Sequence, residues 1–230
     1  MEKWSTIALA RFACLYAGAI WGIFWIPVRA INDAGIHGLW SSAIWFAVPT
    51  CLLLPVAIFR FNSIRAGGLG LQITAILSGV ALLCYTLAFL YTDVVRAMLL
   101  YYLTPVWSTL LAAAVLRETI TWQRIVAIIL AIIGMLVIFG LGLNFPVPRN
   151  IGDWLGILSG FVWAIAIVRI RKHENHSAVA MTIGFFFWSM IASLILCFFL
   201  VSDQLPSIEK TFSVLHWLVP FMAIAVVPGA

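Results

Sequence analysis

Long apolar runs separated by short polar connectors recur along the whole chain. The stretch 85–134 shows the pattern most plainly. One run ends at Tyr91, Thr92 and Asp93 interrupt, and a second run continues to Leu116 with Pro105 inside it. Arg117 and Glu118 close that run, and a third leads through Gly134. A soluble helix alternates an apolar stripe with a polar face, whereas these runs are apolar on every face. About twenty apolar residues cross the ~30 Å hydrocarbon layer of a bilayer. The pattern therefore predicts spans at about 12–31, 39–59, 69–91, 94–116, 125–143, 154–170 and 179–201. An eighth begins near Phe212 and is still in progress at Ala230. Residues 1–10 read as a mixed lead-in, 60–68 as a polar connector with a glycine pair, and 171–177 as a charged one. Pro146 and Pro148 make 144–150 a loop and the best internal boundary. The first run ends in Pro27, Val28 and Arg29 rather than in small residues after a short apolar core, so it reads as an uncleaved span and not a signal peptide.

Composition carries the same conclusion. The chain is 64% hydrophobic and 9% charged. Only helices and closed barrels satisfy their backbone in lipid, and a barrel would show short alternating segments. The fold class is an all-α polytopic membrane protein. The net charge of +5 sits between apolar runs, so it reads as a topology signal and not as a nucleic-acid surface. With the N-terminus inside, nine of the Lys and Arg residues fall in inner connectors and four (Arg29, Arg96, Arg149, Lys210) in outer ones. That bias predicts a cytoplasmic N-terminus. Cys14, Cys51, Cys84 and Cys197 all lie within apolar runs without CxxC spacing. They read as small hydrophobes, with neither a disulfide nor a metal site.

A weak internal repeat relates the first span to the sixth. GAIWGIFWIPVR, beginning at Gly18, lies over GFVWAIAIVRIR, beginning at Gly160. Gly18 matches Gly160, Trp21 matches Trp163 and Arg29 matches Arg171. A repeat unit of five spans is odd, so successive copies enter the membrane in opposite directions. Inverted repeats of this kind recur among secondary transporters.

These landmarks resemble an EamA-type drug/metabolite transporter of the DMT superfamily. The resembling features are the aromatic span end YTLAFLYT, the proline-bearing LTPVW, RET at the end of that span, and AIIGMLV in the next. GAIWG and SGFVWA resemble the starts of the family's two halves. The resemblance implies an inverted repeat of five-helix units, with the first unit at 1–143, a connecting loop at 144–151 and a partial second unit of about three helices at 152–230. Members usually have ten spans, so the second unit reads as incomplete and the chain as a C-terminally truncated form. Closure of the cavity by a homodimer is the alternative. Two positions depart from the pattern. Ala127 stands where the family often has Gly, and Trp45 and Phe46 stand where many members carry an Arg.

Several polar and aromatic residues are candidates for a substrate cavity. Pro105 removes a backbone hydrogen bond in mid-span, and Tyr101, Thr104 and Ser108 flank it at helical spacing. A polar stripe in an apolar span faces the bundle interior. Trp21 and Trp25 share a face, as packing or as an aromatic wall; Tyr85 and the repeat-related Trp163 join them. Gly18 and Gly22 form GxxxG, and Gly152, Gly156 and Gly160 form a longer small face, both read as helix-packing surfaces. Asp93 with Arg96, and Arg117 with Glu118, read as structural ion pairs, while Arg29 reads as snorkelling to headgroups.

Enzyme signals are missing from the sequence. The HENH run beginning at His173 lacks the second His of HExxH, since Ser177 stands there. No cofactor or catalytic residue is expected. A membrane enzyme or a non-transporting scaffold subunit are the competing readings. The expected function is secondary transport, most simply export, of a small organic metabolite or drug across the plasma or inner membrane by alternating access. The expected partners are that solute and membrane lipid.

Overall fold

The computed structural model describes residues 2–139, 147–172 and 176–226. The expected domain boundary at 143/144, Pro146 and residues 173–175 of the HENH run lie outside them. Every regular element among the described residues is an α-helix, and none is a strand.

Six helical segments are long and apolar enough to cross a membrane: Arg11–Asp33, Gly38–Phe59, Gly68–Tyr91, Val94–Leu116, Ile151–Lys172 and Ala178–Leu200. They coincide with the first four, the sixth and the seventh of the expected spans. The first is made of α1 (Glu2–Ile23) and α2 (Trp25–Asp33), which meet at Phe24. Helix α1 begins at Glu2, so the lead-in is helical rather than irregular. α3 is Gly38–Phe59. The connector after it is also partly helical, forming α4 (Phe61–Ala66). Helix α5 is Gly68–Tyr91.

The fourth span is broken, as Pro105 leads one to expect. It consists of α6 (Val94–Tyr101) and α7 (Thr104–Leu116), with a turn at Tyr102 and Leu103. Proline has no N–H to give to the carbonyl four residues back, which here is that of Tyr101. The Thr104 hydroxyl donates to that carbonyl instead, at 2.6 Å. Arg117 ends α7 in the left-handed region (φ 56). Helix α8 (Trp122–Phe139) follows, then α9 (Ile151–Lys172), α10 (Ala178–Leu200) and α11 (Ile208–Val226). α8 is a shorter apolar helix within the described residues, and α11 carries Glu209, Lys210 and Pro220.

Helix α5 is the centre of the bundle. It packs most extensively on α9 and α10, and also meets α2, α3 and α6. Its residues from Ala81 to Phe89 are buried without interruption. Lipid tails are as apolar as leucine, so close backbone approach and hydrogen bonds must hold such helices together. Gly79 permits that approach to α10. A Cβ there would lie 2.9 Å from the Ser189 nitrogen. The Ser189 hydroxyl donates to the Gly79 carbonyl at 3.1 Å, and Trp188 Nε1 donates to Gln72 Oε1 at 2.9 Å.

Candidate functional site

An aromatic cavity lies beside the break in the fourth span, where Tyr101 and Tyr102 line it. It has a volume of about 390 Å³ and takes its walls from α1, α5, α6, the turn after α6, and α9. Trp21, Tyr85, Tyr101, Tyr102 and Trp163 supply the ring faces, and Gly18 and Gly22 leave space on the α1 side. Tyr85 and Tyr101 have ring centroids 4.4 Å apart, and Tyr85 sits 4.5 Å from Phe89. Trp21 stacks on Phe24 at 5.3 Å, and Phe24 lies 6.1 Å from Tyr85. These contacts make a continuous aromatic wall whose inner part is buried and whose Trp21 end is 43% exposed. No described lining residue carries a formal charge. Such a wall offers π-faces to flat or cationic groups and phenol tips to polar ones.

Four of the eight cavity candidates from the sequence therefore meet in this one place: Trp21, Tyr85, Tyr101 and Trp163. The other four do not. Residues 101, 104 and 108 would share a face only on a continuous helix. With the helix interrupted at Tyr102 and Leu103, Thr104 is buried against α9, and Pro105 and Ser108 line a different cleft, beside α8. Ser108 Oγ donates to the Pro105 carbonyl at 3.2 Å. Trp25 is partly buried against the main core cluster on α2.

The two glycine faces also part company. A Cβ at Gly18 or Gly22 would meet nothing within 4 Å, so these residues border the cavity instead of a neighbouring helix. A Cβ at Gly152 would lie 2.7 Å from Thr92 N, one at Gly156 3.3 Å from the Ala97 carbonyl oxygen, and one at Gly160 2.7 Å from the Tyr101 carbonyl oxygen. That face lets α9 lie against the end of α5, then α6, then the break.

At the head of α9 the structure holds a buried ionic hub that the sequence reading missed. Asp153 is fully buried and accepts from Arg96 Nε at 2.6 Å, Thr92 Oγ1 at 2.7 Å and the Arg149 backbone N–H at 2.8 Å. Arg96 Nη2 also donates to the Val147 carbonyl. Asn150 accepts from the Asp153 N–H at 2.8 Å and donates to Thr92 Oγ1 at 3.1 Å. The carboxylate that Arg96 grips is thus on another span. Asp93 caps α6 by accepting from the Val95 and Arg96 N–H groups. The signal in the sequence was an acidic residue at the very start of an apolar run, which burial in a membrane bundle tolerates only when it is paired. Arg29, expected to reach headgroups, instead donates to the Phe89 and Thr92 carbonyls at 3.0 and 2.9 Å and closes the end of α5. Glu118 pairs with Arg124 at 2.9 Å and Arg171 at 3.6 Å. Among the described residues these are its partners, and not Arg117, whose backbone turns the chain away.

Comparison with known proteins adds a family. The EamA-like transporter family matches residues 8–140, which include most of α1 and all of α2 to α8. A Helicobacter pylori protein described as an uncharacterized transporter is 21% identical over 198 residues, covering 83% of this chain and 65% of its own length. The chain thus spans just under two thirds of that curated relative. No solved structure matches the chain.

Proposed function

The chain belongs to the EamA-like transporter family, and from that premise we propose that it is a secondary transporter of small organic metabolites or drugs. The observation that carries this reading is the aromatic cavity at the meeting of the first, third, fourth and sixth spans. The fourth span is interrupted beside it, at Tyr102 and Leu103. Secondary transporters commonly build their substrate sites beside interrupted spans, and rocking of one repeat against the other exposes the site to alternate sides. An uncharged aromatic lining favours a flat or cationic organic solute over a small inorganic anion. The proposed direction is export across the cell membrane by alternating access, with the first five-helix repeat moving about the cavity against the second, of which 152–230 carry about three helices.

The reading is tested by solute flux into proteoliposomes, scanned over amino acids, metabolites and cationic drugs. At least one such solute should move. Trp21→Ala should then cost about tenfold in kcat/KM, the equivalent of ~1.4 kcal/mol of lost ring contact. Trp21 is partly exposed, so the variant should fold. Flux that ignores Trp21→Ala, or a correctly folded protein that moves none of these solutes, would count against the reading.

The proposed orientation has the N-terminus and the 171–177 connector in the cytoplasm. In a cysteine-free background, single cysteines at Ser63 and Ser177 should resist an impermeant thiol reagent added outside, and one at Asn150 should react. The reverse pattern would invert the topology and remove the inverted-repeat argument with it.

A further inference from the structure

A second cavity, of about 670 Å³, lies between α7 and α8. Its body is apolar, formed by Leu99, Val106, Ile128, Ile132, Met135 and Ile138. One end is different in kind, because Arg124 and Arg171 line it. Both guanidiniums lean on the single carboxylate of Glu118. Among the described residues, two cations against one anion leave a net positive charge, and the two side chains are 42% and 49% exposed, so donors remain within reach of a ligand. We propose that this cleft binds one anionic phospholipid, with its phosphate on Arg124 and Arg171 and an acyl chain along the apolar body.

Charge, length and position agree on that occupant. A guanidinium presents a planar fork of donors that matches phosphate oxygens. From Arg124 to Ile138 the lining of α8 runs about 21 Å along the helix, enough for an acyl chain through one leaflet of ~15 Å together with its glycerol. Arg171 lies about 27 Å along α9 from Asp153, so the two charged collars are separated by roughly the thickness of the hydrocarbon layer. That places the arginines at headgroup depth and the cleft among the tails. Basic pockets between spans are known to take anionic headgroups. A soluble anion would leave the apolar body empty, and a zwitterionic lipid would leave the excess positive charge unmatched. Helix α8 itself packs sparingly on the rest of the bundle, which leaves room for a chain to fill.

The site has a route to the aromatic cavity. Tyr102 lines both spaces, and it is the first residue of the break in the fourth span. A lipid seated in the cleft therefore braces one side of the turn whose other side forms the cavity wall. The inference stands on the cleft alone and does not depend on the transport reading.

Thermal melting of the purified full chain in detergent tests it, with dioleoyl phosphatidylglycerol, dioleoyl phosphatidylcholine and inorganic phosphate as probes. Phosphatidylglycerol should raise Tm in a saturable, dose-dependent way, and the other two should not. R124Q/R171Q should weaken the apparent affinity about tenfold or more. Ala131→Phe, which fills the cleft and keeps both arginines, should weaken it as well, whereas Glu118→Gln should strengthen it by releasing the guanidiniums. If the arginine double variant does not fold, Ala131→Phe and Glu118→Gln decide the matter. Equal stabilisation by phosphatidylcholine, a shift reproduced by inorganic phosphate, or indifference of the cleft variants to phosphatidylglycerol would each overturn the proposal.

Discussion

Asp153→Ala is expected to destabilise the protein by about 3–5 kcal/mol, the cost of leaving a buried ionic partner uncompensated. The carboxylate is fully buried, and the Arg96 side chain beside it is 12% exposed. Removing the carboxylate strips acceptors from Arg96 Nε, Thr92 Oγ1 and the Arg149 N–H together. It also removes one of the ties between four pieces of chain: the end of α5, the start of α6, the segment before α9 and the head of α9. Arg96→Met combined with Asp153→Leu should recover much of the loss, since replacing both members of a buried pair with apolar groups is often neutral. Asp153→Asn keeps the shape without the charge and should fall between. Unfolding in detergent of the two single variants and the double variant reads the comparison directly. If Asp153→Ala melted within about 1 kcal/mol of the parent, the hub would be a surface ion pair in energetic terms, and its burial would have to be reconsidered.

The spans were legible in the sequence because the bilayer imposes a length. Six of the expected spans agree with a described membrane-crossing segment to within a few residues. The α6–α7 break was legible for the same kind of reason, since a proline in mid-helix has a known local effect. What the pattern does not carry is which groups meet across spans. Asp93 is three residues from Arg96 and pairing them is natural, yet the carboxylate on Arg96 comes from Asp153. Helical spacing put Tyr101, Thr104 and Ser108 on one face, and the very proline that drew attention to them ended the helix between the first and the second. A cavity partner such as Trp163 was found only through the repeat, because its own surroundings in sequence are uniformly apolar. GxxxG spacing says that a helix has a narrow face, but not whether another helix comes to occupy it.

That last point gives the second large effect. Gly160→Leu should disrupt the bundle, while Gly18→Leu should leave it folded and fill the cavity. At Gly160 even a methyl group would stand 2.7 Å from the Tyr101 carbonyl oxygen and 2.9 Å from Thr104 Oγ1. Both belong to the break, and the Thr104 hydroxyl is already donating to that carbonyl. Neither can retreat without undoing the hydrogen bond that replaces the one proline removed. Overpacking a tight contact costs about 1–3 kcal/mol, and loss of the hydroxyl–carbonyl bond adds about 1 kcal/mol. At Gly18 nothing stands within 4 Å, and the added side chain enters the space between Trp21 and Tyr85. Gly18→Leu should therefore melt near the parent temperature and yet bind solute poorly, whereas Gly160→Leu should lose both. Fluorescence-detected melting in detergent, paired with flux for any solute the parent carries, separates the two. If Gly160→Leu were as stable as Gly18→Leu, the close approach of α9 to the break would be absent from the folded protein, and the shape of the aromatic cavity would lose its main support.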